Sequence, residues 1–179
     1  MSDCKHNIKE SKITVVGYKS HSKVVEEYFW SKGFTVKTVN IGFKRARYRY
    51  GDYYFVAIGN NKERKKIVAR IDKKFGRIYN ENTYIAPSSF VNIGCKIGFG
   101  VIVNSMACIE HDCKLGDYSH VASNATLAGN VTVGEGTLIG TGAVVLPNIK
   151  IGAWSIIGAG SVVTKDVKAK QVVKGNPAK

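Results

Sequence analysis

From Ile85 to Val163 every sixth residue is Ile, Leu or Val, in fourteen places out of fourteen. An amphipathic helix repeats near 3.6 and a half-buried strand at two, so a strict period of six fits neither. It fits a triangular coil in which each side is one short strand and three sides make a turn of about eighteen residues. A second column, four residues after each aliphatic, is small or modest in size, with Cys95, Ala107, Cys113, Ser119 and Ala125 among its members. The residue directly after the aliphatic is often glycine (Gly98, Gly116, Gly134, Gly140, Gly152, Gly158), as expected if each turn between sides needs a small residue. Fourteen hexads then build four to five coils, roughly 22 Å of stack at about 4.8 Å per layer. Cys95 and Cys113 lie 18 apart in the small inward column, so both are expected to be packing thiols.

The chain before the repeat has another grammar. Lys12–Gly17 reads as a strand ending in a glycine turn, followed by a helix through about Lys32 with Val24, Val25, Tyr28 and Phe29 on one face. Phe34–Val39 and Tyr53–Gly59 read as two more strands, and a charged helix follows from Lys62 to Lys74. Alternating strand and helix predicts a small parallel, Rossmann-like α/β sheet, whose ligands would bind at the carboxyl ends of its strands. The expected division is a first domain over 1–78 and a solenoid over 79–179.

Charge follows the same division. The net +14 is concentrated in residues 1–78, which hold 19 Lys/Arg against 7 Asp/Glu; residues 79–179 hold 8 against 6. A basic first domain points to an anionic partner such as a nucleotide, a cofactor phosphate or nucleic acid, or simply to a lysine-rich solvated surface. No apolar run approaches the roughly 20 residues that span a bilayer, and Met1–His6 is polar, unlike a signal-peptide core. The four cysteines form no CxxC pair. Reduced thiols and a cytoplasmic setting are therefore expected.

Within the repeat the histidines are His111 and His120. Glu110 and Asp112 place carboxylates beside His111, which can fix its tautomer and favour its use as a base. Gly129 lies 18 residues after His111, one coil above, where its amide N–H could face an oxyanion. His120 is nine residues from His111, half a coil around the prism, so the two are expected to meet only where neighbouring chains pack side by side. Zinc needs three or four converging ligands, and two histidines half a coil apart do not supply them, so no metal is expected.

Several stretches, taken together, resemble the hexapeptide-repeat acyltransferases, in particular the branch of sialic acid O-acetyltransferases and nucleotide-sugar N-acetyltransferases of the bacillosamine and viosamine type. They are Ile109-Glu110-His111-Asp112-Cys113, Gly116-Asp117-Tyr118-Ser119-His120-Val121, Ala128-Gly129-Asn130-Val131, Val145-Leu146-Pro147-Asn148 and Gly175-Asn176-Pro177-Ala178-Lys179. In the first domain Ala57-Ile58-Gly59-Asn60-Asn61 followed by Arg64 also matches. The resemblance implies a left-handed parallel β-helix, a homotrimer with sites between subunits, and acetyl-CoA as cosubstrate. It implies His111 as general base, Asp112 raising its basicity, His120 at the thioester end of acetyl-CoA, and the Gly129 amide on the thioester carbonyl oxygen. Backbone groups of Thr141 and Ala159 would hold the pantetheine arm, Asn104 would line the acceptor pocket, and Gly17, His21, Gly59 and Asn60 would hold a sugar nucleotide.

The first turn, Gly17-Tyr18-Lys19-Ser20-His21-Ser22, lacks two of the glycines usual in that family, and Val39-Asn40 stand where an acidic pair often holds the base. A short basic-aromatic segment, Lys44-Arg45-Ala46-Arg47-Tyr48-Arg49-Tyr50, leads to the third strand. N-acetylation of a nucleotide-linked 4-amino-4,6-dideoxyhexose is the expected activity, with sugar O-acetylation as the alternative. The rival from another class is a non-enzymatic trimeric scaffold that binds nucleic acid through the Arg/Tyr segment.

Overall fold

The computed structural model describes residues 11–17, 21–39, 53–75, 78 and 82–179. The chain divides into two compact units, 1–82 and 83–179. The division falls slightly later than the sequence suggests, and Asn82 supplies the reason. Its carboxamide accepts from Val56 N at 2.6 Å and donates to Val56 O at 3.2 Å, tying this residue to the backbone of the first unit's third strand.

In the first unit, β1 (Lys12–Gly17) is central, with β2 (Thr35–Val39) on one side and β3 (Tyr53–Ala57) on the other, all parallel. Helix α1 (His21–Ser31) follows β1, and α2 (Asn61–Phe75) follows β3. The buried stripe of α1 is Ser22, Val25 and Phe29, spaced as one helical face. Val24, expected on that face, is exposed, and Tyr28 is half-buried. Phe29 packs edge-on against Phe34 and Phe55, with ring centroids 5.5 and 5.3 Å apart, over a sheet centre of Ile13, Val15, Val16 and Val56. The basic-aromatic segment 44–50 and Asn40 lie outside the described residues.

The second unit is a left-handed parallel β-helix, the triangular coil that the hexads predict with the hand that the resemblance implies. Fifteen two-residue strands, β4 (Tyr84–Ile85) to β18 (Val172–Val173), fall into three parallel sheets of six, five and four strands. Partners in neighbouring coils are 18 residues apart, as His120 with Ile102 and with Leu138. The first face carries the strands at 102–103, 120–121 and 138–139, the second those at 108–109 and 126–127, and the third those at 96–97 and 114–115. From Val103 to Val163 the hexad aliphatics are no more than 3% exposed, and each contributes roughly 1.5–3 kcal/mol by leaving water. Ile85, Val91 and Ile97 are less covered; they belong to the first coil, with no coil of the stack before them.

Three polar members of the small inward column hydrogen-bond to backbone carbonyls within the stack. Cys95 Sγ donates to Glu110 O at 3.1 Å, Cys113 Sγ to Ala128 O at 3.2 Å, and Thr137 Oγ1 to Gly152 O at 2.8 Å, each fifteen residues on. Cys95 and Cys113 are packing residues, and burial pushes the Cys113 thiol pKa up.

The left-handed residue is not the glycine directly after each aliphatic but the residue two places later. From Gly94 to Gly160, twelve consecutive hexads have φ between +56° and +77° at that place, including Asp112, Tyr118 and Trp154. The glycines after the aliphatics serve close approach instead: a Cβ on Gly134 would run into the backbone of Ala153 one coil on. No helix among the described residues is long and apolar enough to cross a membrane.

Candidate active site

His111 and Asp112 form the corner that follows β8 (Cys108–Ile109), where the chain passes from the second face to the third. Both side chains are exposed, and His111 Nδ1 lies 2.9 Å from Asp112 Oδ2. With the ring N–H donating to the carboxylate, the imidazole proton sits on Nδ1 and Nε2 keeps its lone pair. The left-handed backbone at Asp112 (φ 61°) makes this adjacent-residue contact possible.

Gly129 stands one coil on at the same corner, with Asn130 N donating to His111 O at 2.9 Å. A Cβ built on Gly129 would lie 2.6 Å from His111 Nε2 and 2.8 Å from Cε1. The lone-pair nitrogen is therefore directly against the Gly129 backbone. The Gly129 carbonyl accepts from Asn148, and among the described residues its N–H donates to no backbone carbonyl. Below the pair, a Cβ on Gly94 would collide with Asp112 Oδ1. Two glycines of one corner, Gly94 stacked on Asp112 and Gly129 on His111, thus leave the slot that holds the carboxylate and the imidazole. Sequence reasoning found Gly129 and missed Gly94, although Gly94 lies 18 residues before Asp112.

Glu110 does not join His111. Its Oε2 accepts from Asn92 Nδ2 at 2.9 Å, and Cys108 Sγ donates toward its Oε1 at 3.6 Å. Burial, and then the Glu110 carboxylate, push the Cys108 thiol pKa up. A thiol held protonated is a poor nucleophile.

His120 begins β10 (His120–Val121) on the first face, opposite the His111 corner of the triangular section. It is 9% exposed, and its Nε2 lies 2.9 Å from Asn104 Nδ2. With the amide donating, His120 Nε2 accepts and the ring proton is on Nδ1. Two residues expected in separate roles are therefore one hydrogen-bonded pair. Thr141 and Ala159 stack at the corner between the first and second faces and are exposed, with Gly160 N donating to Thr141 O at 2.8 Å. Within the solenoid, His111, Asp112 and Gly129 thus occupy one edge of the second face, while Asn104, Thr141 and Ala159 occupy its other edge.

In the first unit Gly17 ends β1 opposite Ala57, where a Cβ would lie 2.5 Å from Ala57 O; only glycine lets the two strands end side by side. His21 opens α1, while Tyr18–Ser20 lie outside the described residues. Gly59 and Asn60 form the exposed segment between β3 and α2, and Asn60 Oδ1 accepts from Glu63 N at 3.0 Å, capping that helix. Among the described residues no three His, Cys, Asp or Glu side chains gather as a metal would need.

The model of the bacterial transferase hexapeptide family (six repeats) matches residues 94–129 and 130–165. Perosamine N-acetyltransferase from Caulobacter crescentus, PerB, solved with CoA and GDP-perosamine, is 30% identical over 94% of this chain and 96% of that one, with a TM-score of 0.79. The acetyltransferase domain of PglB from Neisseria gonorrhoeae is 26% identical over 94% and 98% of the two chains, also with a TM-score of 0.79. The chain belongs to the hexapeptide-repeat acyltransferases. Within this acyltransferase the family model spans the corner that holds His111, Asp112 and Gly129, while the likeness to PerB extends over nearly the whole chain, first unit included.

Proposed function

We propose that this acyltransferase moves the acetyl group of acetyl-CoA onto the 4-amino group of a nucleotide-linked 4-amino-4,6-dideoxyhexose by direct attack. The observation that carries the reading is the His111–Asp112–Gly129 corner: an imidazole whose Nδ1 lies 2.9 Å from Asp112 Oδ2, so that a proton on Nδ1 leaves the lone pair on Nε2, against the Gly129 backbone. Nε2 takes the proton of the attacking amine as the new C–N bond forms, and Asp112 stabilises the resulting imidazolium. The Gly129 N–H receives the charge that develops on the thioester oxygen. The C–S bond then breaks, and the CoA sulfur leaves with the proton that His111 carried. No side chain is acylated; the protonated state of the Cys108 thiol supports that part of the reading.

Thr141 and Ala159 hold the pantetheine arm through backbone groups, His120 supports the thioester end, and Asn104, hydrogen-bonded to His120, lines the acceptor pocket. Asn104, Thr141 and Ala159 stand at the opposite edge of the second face from His111, and His120 stands on the first face, which supports a homotrimer whose sites combine residues of two subunits. The β2–β1–β3 order of the first unit supports a Rossmann-like domain that takes the nucleotide end of the acceptor through Gly17, His21, Gly59 and Asn60. PerB, with GDP-perosamine and CoA bound, supports both substrate classes.

The test is acetyl-CoA turnover, followed by thiol release and mass spectrometry, against UDP-, dTDP- and GDP-linked 4-amino sugars, the corresponding free amino sugars and hydroxyl acceptors. Acetylation at nitrogen of a nucleotide-linked sugar is the expected result. Turnover only on hydroxyl acceptors would replace N- by O-acetylation, and no thiol release with any of them would reject the reading.

A further inference from the structure

We infer that Arg64 is a positioning residue for the phosphate-bearing end of the acceptor, acting through the Ile58–Asn60 segment without touching the ligand. The inference rests on the proposed nucleotide-binding role of the first unit and names how that role is built.

Among the described residues Arg64 is the largest fully buried side chain, at 0% exposure. A buried ionic group is expensive to desolvate and is often no more stabilising than an apolar residue of the same volume, so its placement calls for a local reason. From the first turn of α2 the side chain reaches back. Its Nη1 donates to Ile58 O at 2.7 Å and reaches Gly59 O at 3.4 Å. These carbonyls belong to consecutive peptide units leaving β3. In a trans peptide the N–H points opposite to the C=O of the same unit. With both carbonyls drawn toward the buried guanidinium, the N–H groups of Gly59 and Asn60 are turned the other way.

Two further observations mark that other side as the one a ligand approaches. Gly59 and Asn60 are exposed, and a Cβ on Gly59 would meet nothing within 4 Å. Gly59 also lacks a left-handed φ. Neither packing nor backbone conformation demands glycine there; close approach of a ligand to the backbone does. The topology agrees. The chain leaves central β1 toward β2 and leaves β3, on the opposite side, toward α2, so the carboxyl ends of β1 and β3 flank the point where the winding reverses, the ligand crevice of open parallel sheets. A guanidinium is ionised at every accessible pH, and beneath the segment it also adds positive potential shielded from solvent. The ligand class this suits is a nucleoside diphosphate.

The experiment compares the full-length protein with Arg64→Met and Arg64→Lys, each checked for native circular dichroism and assembly. Arg64→Met is expected to raise KM for the nucleotide-linked amino sugar about tenfold or more, the scale of losing charge-assisted hydrogen bonds. The KM for acetyl-CoA, kcat, and turnover of the nucleotide-free amino sugar should stay within about twofold. Arg64→Lys keeps the charge, but its shorter side chain cannot carry a donor to the place that Nη1 occupies between the two carbonyls, so its KM should fall between the two. If Arg64→Met does not fold, Arg64→Lys carries the test with the same readouts. Calorimetry with UDP, dTDP and GDP should show the same order of weakening.

An unchanged KM for the nucleotide-linked sugar in a folded variant overturns the inference. Equal losses in kcat and both KM values overturn it too, since that is what a merely structural role would produce. A parent enzyme that binds no nucleoside diphosphate and prefers nothing over the nucleotide-free sugar fails the nucleotide reading itself, and the inference with it.

Discussion

Replacing Gly129 by alanine tests whether the contact between its backbone and His111 matters to the chemistry. The variant keeps the amide N–H and every backbone hydrogen bond, and Gly129 has no left-handed φ that alanine would strain. It adds a single methyl carbon, 2.6 Å from His111 Nε2, where ordinary van der Waals contact begins at 3.4 Å. The imidazole must back away by about 0.8 Å, and displacements near 1 Å cost on the order of a hundredfold in rate. The ring is exposed and can move, so the strain is relieved by displacement and the fold is kept. The expected result is therefore a melting curve like the parent's and a kcat/KM lower by about a hundredfold, equivalent to about 2.7 kcal/mol. The assay is thiol release from acetyl-CoA with saturating acceptor, repeated in a His111→Ala background. Because the methyl acts only through the ring, Gly129→Ala should add little to His111→Ala. Wild-type kcat/KM in Gly129→Ala, or fully additive losses in the double variant, would refute the reasoning.

His111→Ala should leave the assembly folded and remove transfer by roughly a hundredfold or more, and Asp112→Asn should cost less; native-like turnover in folded His111→Ala would end the mechanism. Cys108→Ala should remain active. Because burial and Glu110 push the Cys108 thiol pKa up, its alkylation at neutral pH should be slower than that of free cysteine and should accelerate only at more alkaline pH, as followed by mass spectrometry. Mixing inactive His111→Ala and His120→Ala subunits should restore part of the activity, since some mixed interfaces carry both native histidines; confirmed exchange without recovery would reject a composite site. Gly134→Ala, whose methyl would meet the Ala153 backbone, should lower stability by roughly 1–3 kcal/mol, read by denaturant melts.

Periodicity made most of the solenoid legible. In a stack with a fixed coil length, residues 18 apart must be neighbours, so the pairing of His111 with Gly129, the inward direction of Cys95 and Cys113, and the half-coil separation of His111 from His120 all follow from counting. What counting missed has a common cause. Asn104 reaches His120 across 16 residues rather than 18, and Glu110 turns to Asn92 and Cys108 instead of His111. Those outcomes are settled among rotamers that compete in three dimensions, where several polar partners lie within reach. The glycine after each aliphatic reads in the sequence as a small turn residue; it serves close approach, while the positive φ falls two places later, a distinction that only the backbone makes. In the first unit the alternation of strand and helix predicted the elements within a residue or two. The exposure of Val24 and the burial of Arg64 were settled by which faces the folded sheet covers. The sequence by itself therefore determined the architecture and the pairing between coils, because both are repeats of one short rule. Tertiary structure alone decided the hydrogen-bond partners and the room around them, because each side chain there chooses among neighbours that the order of residues does not rank.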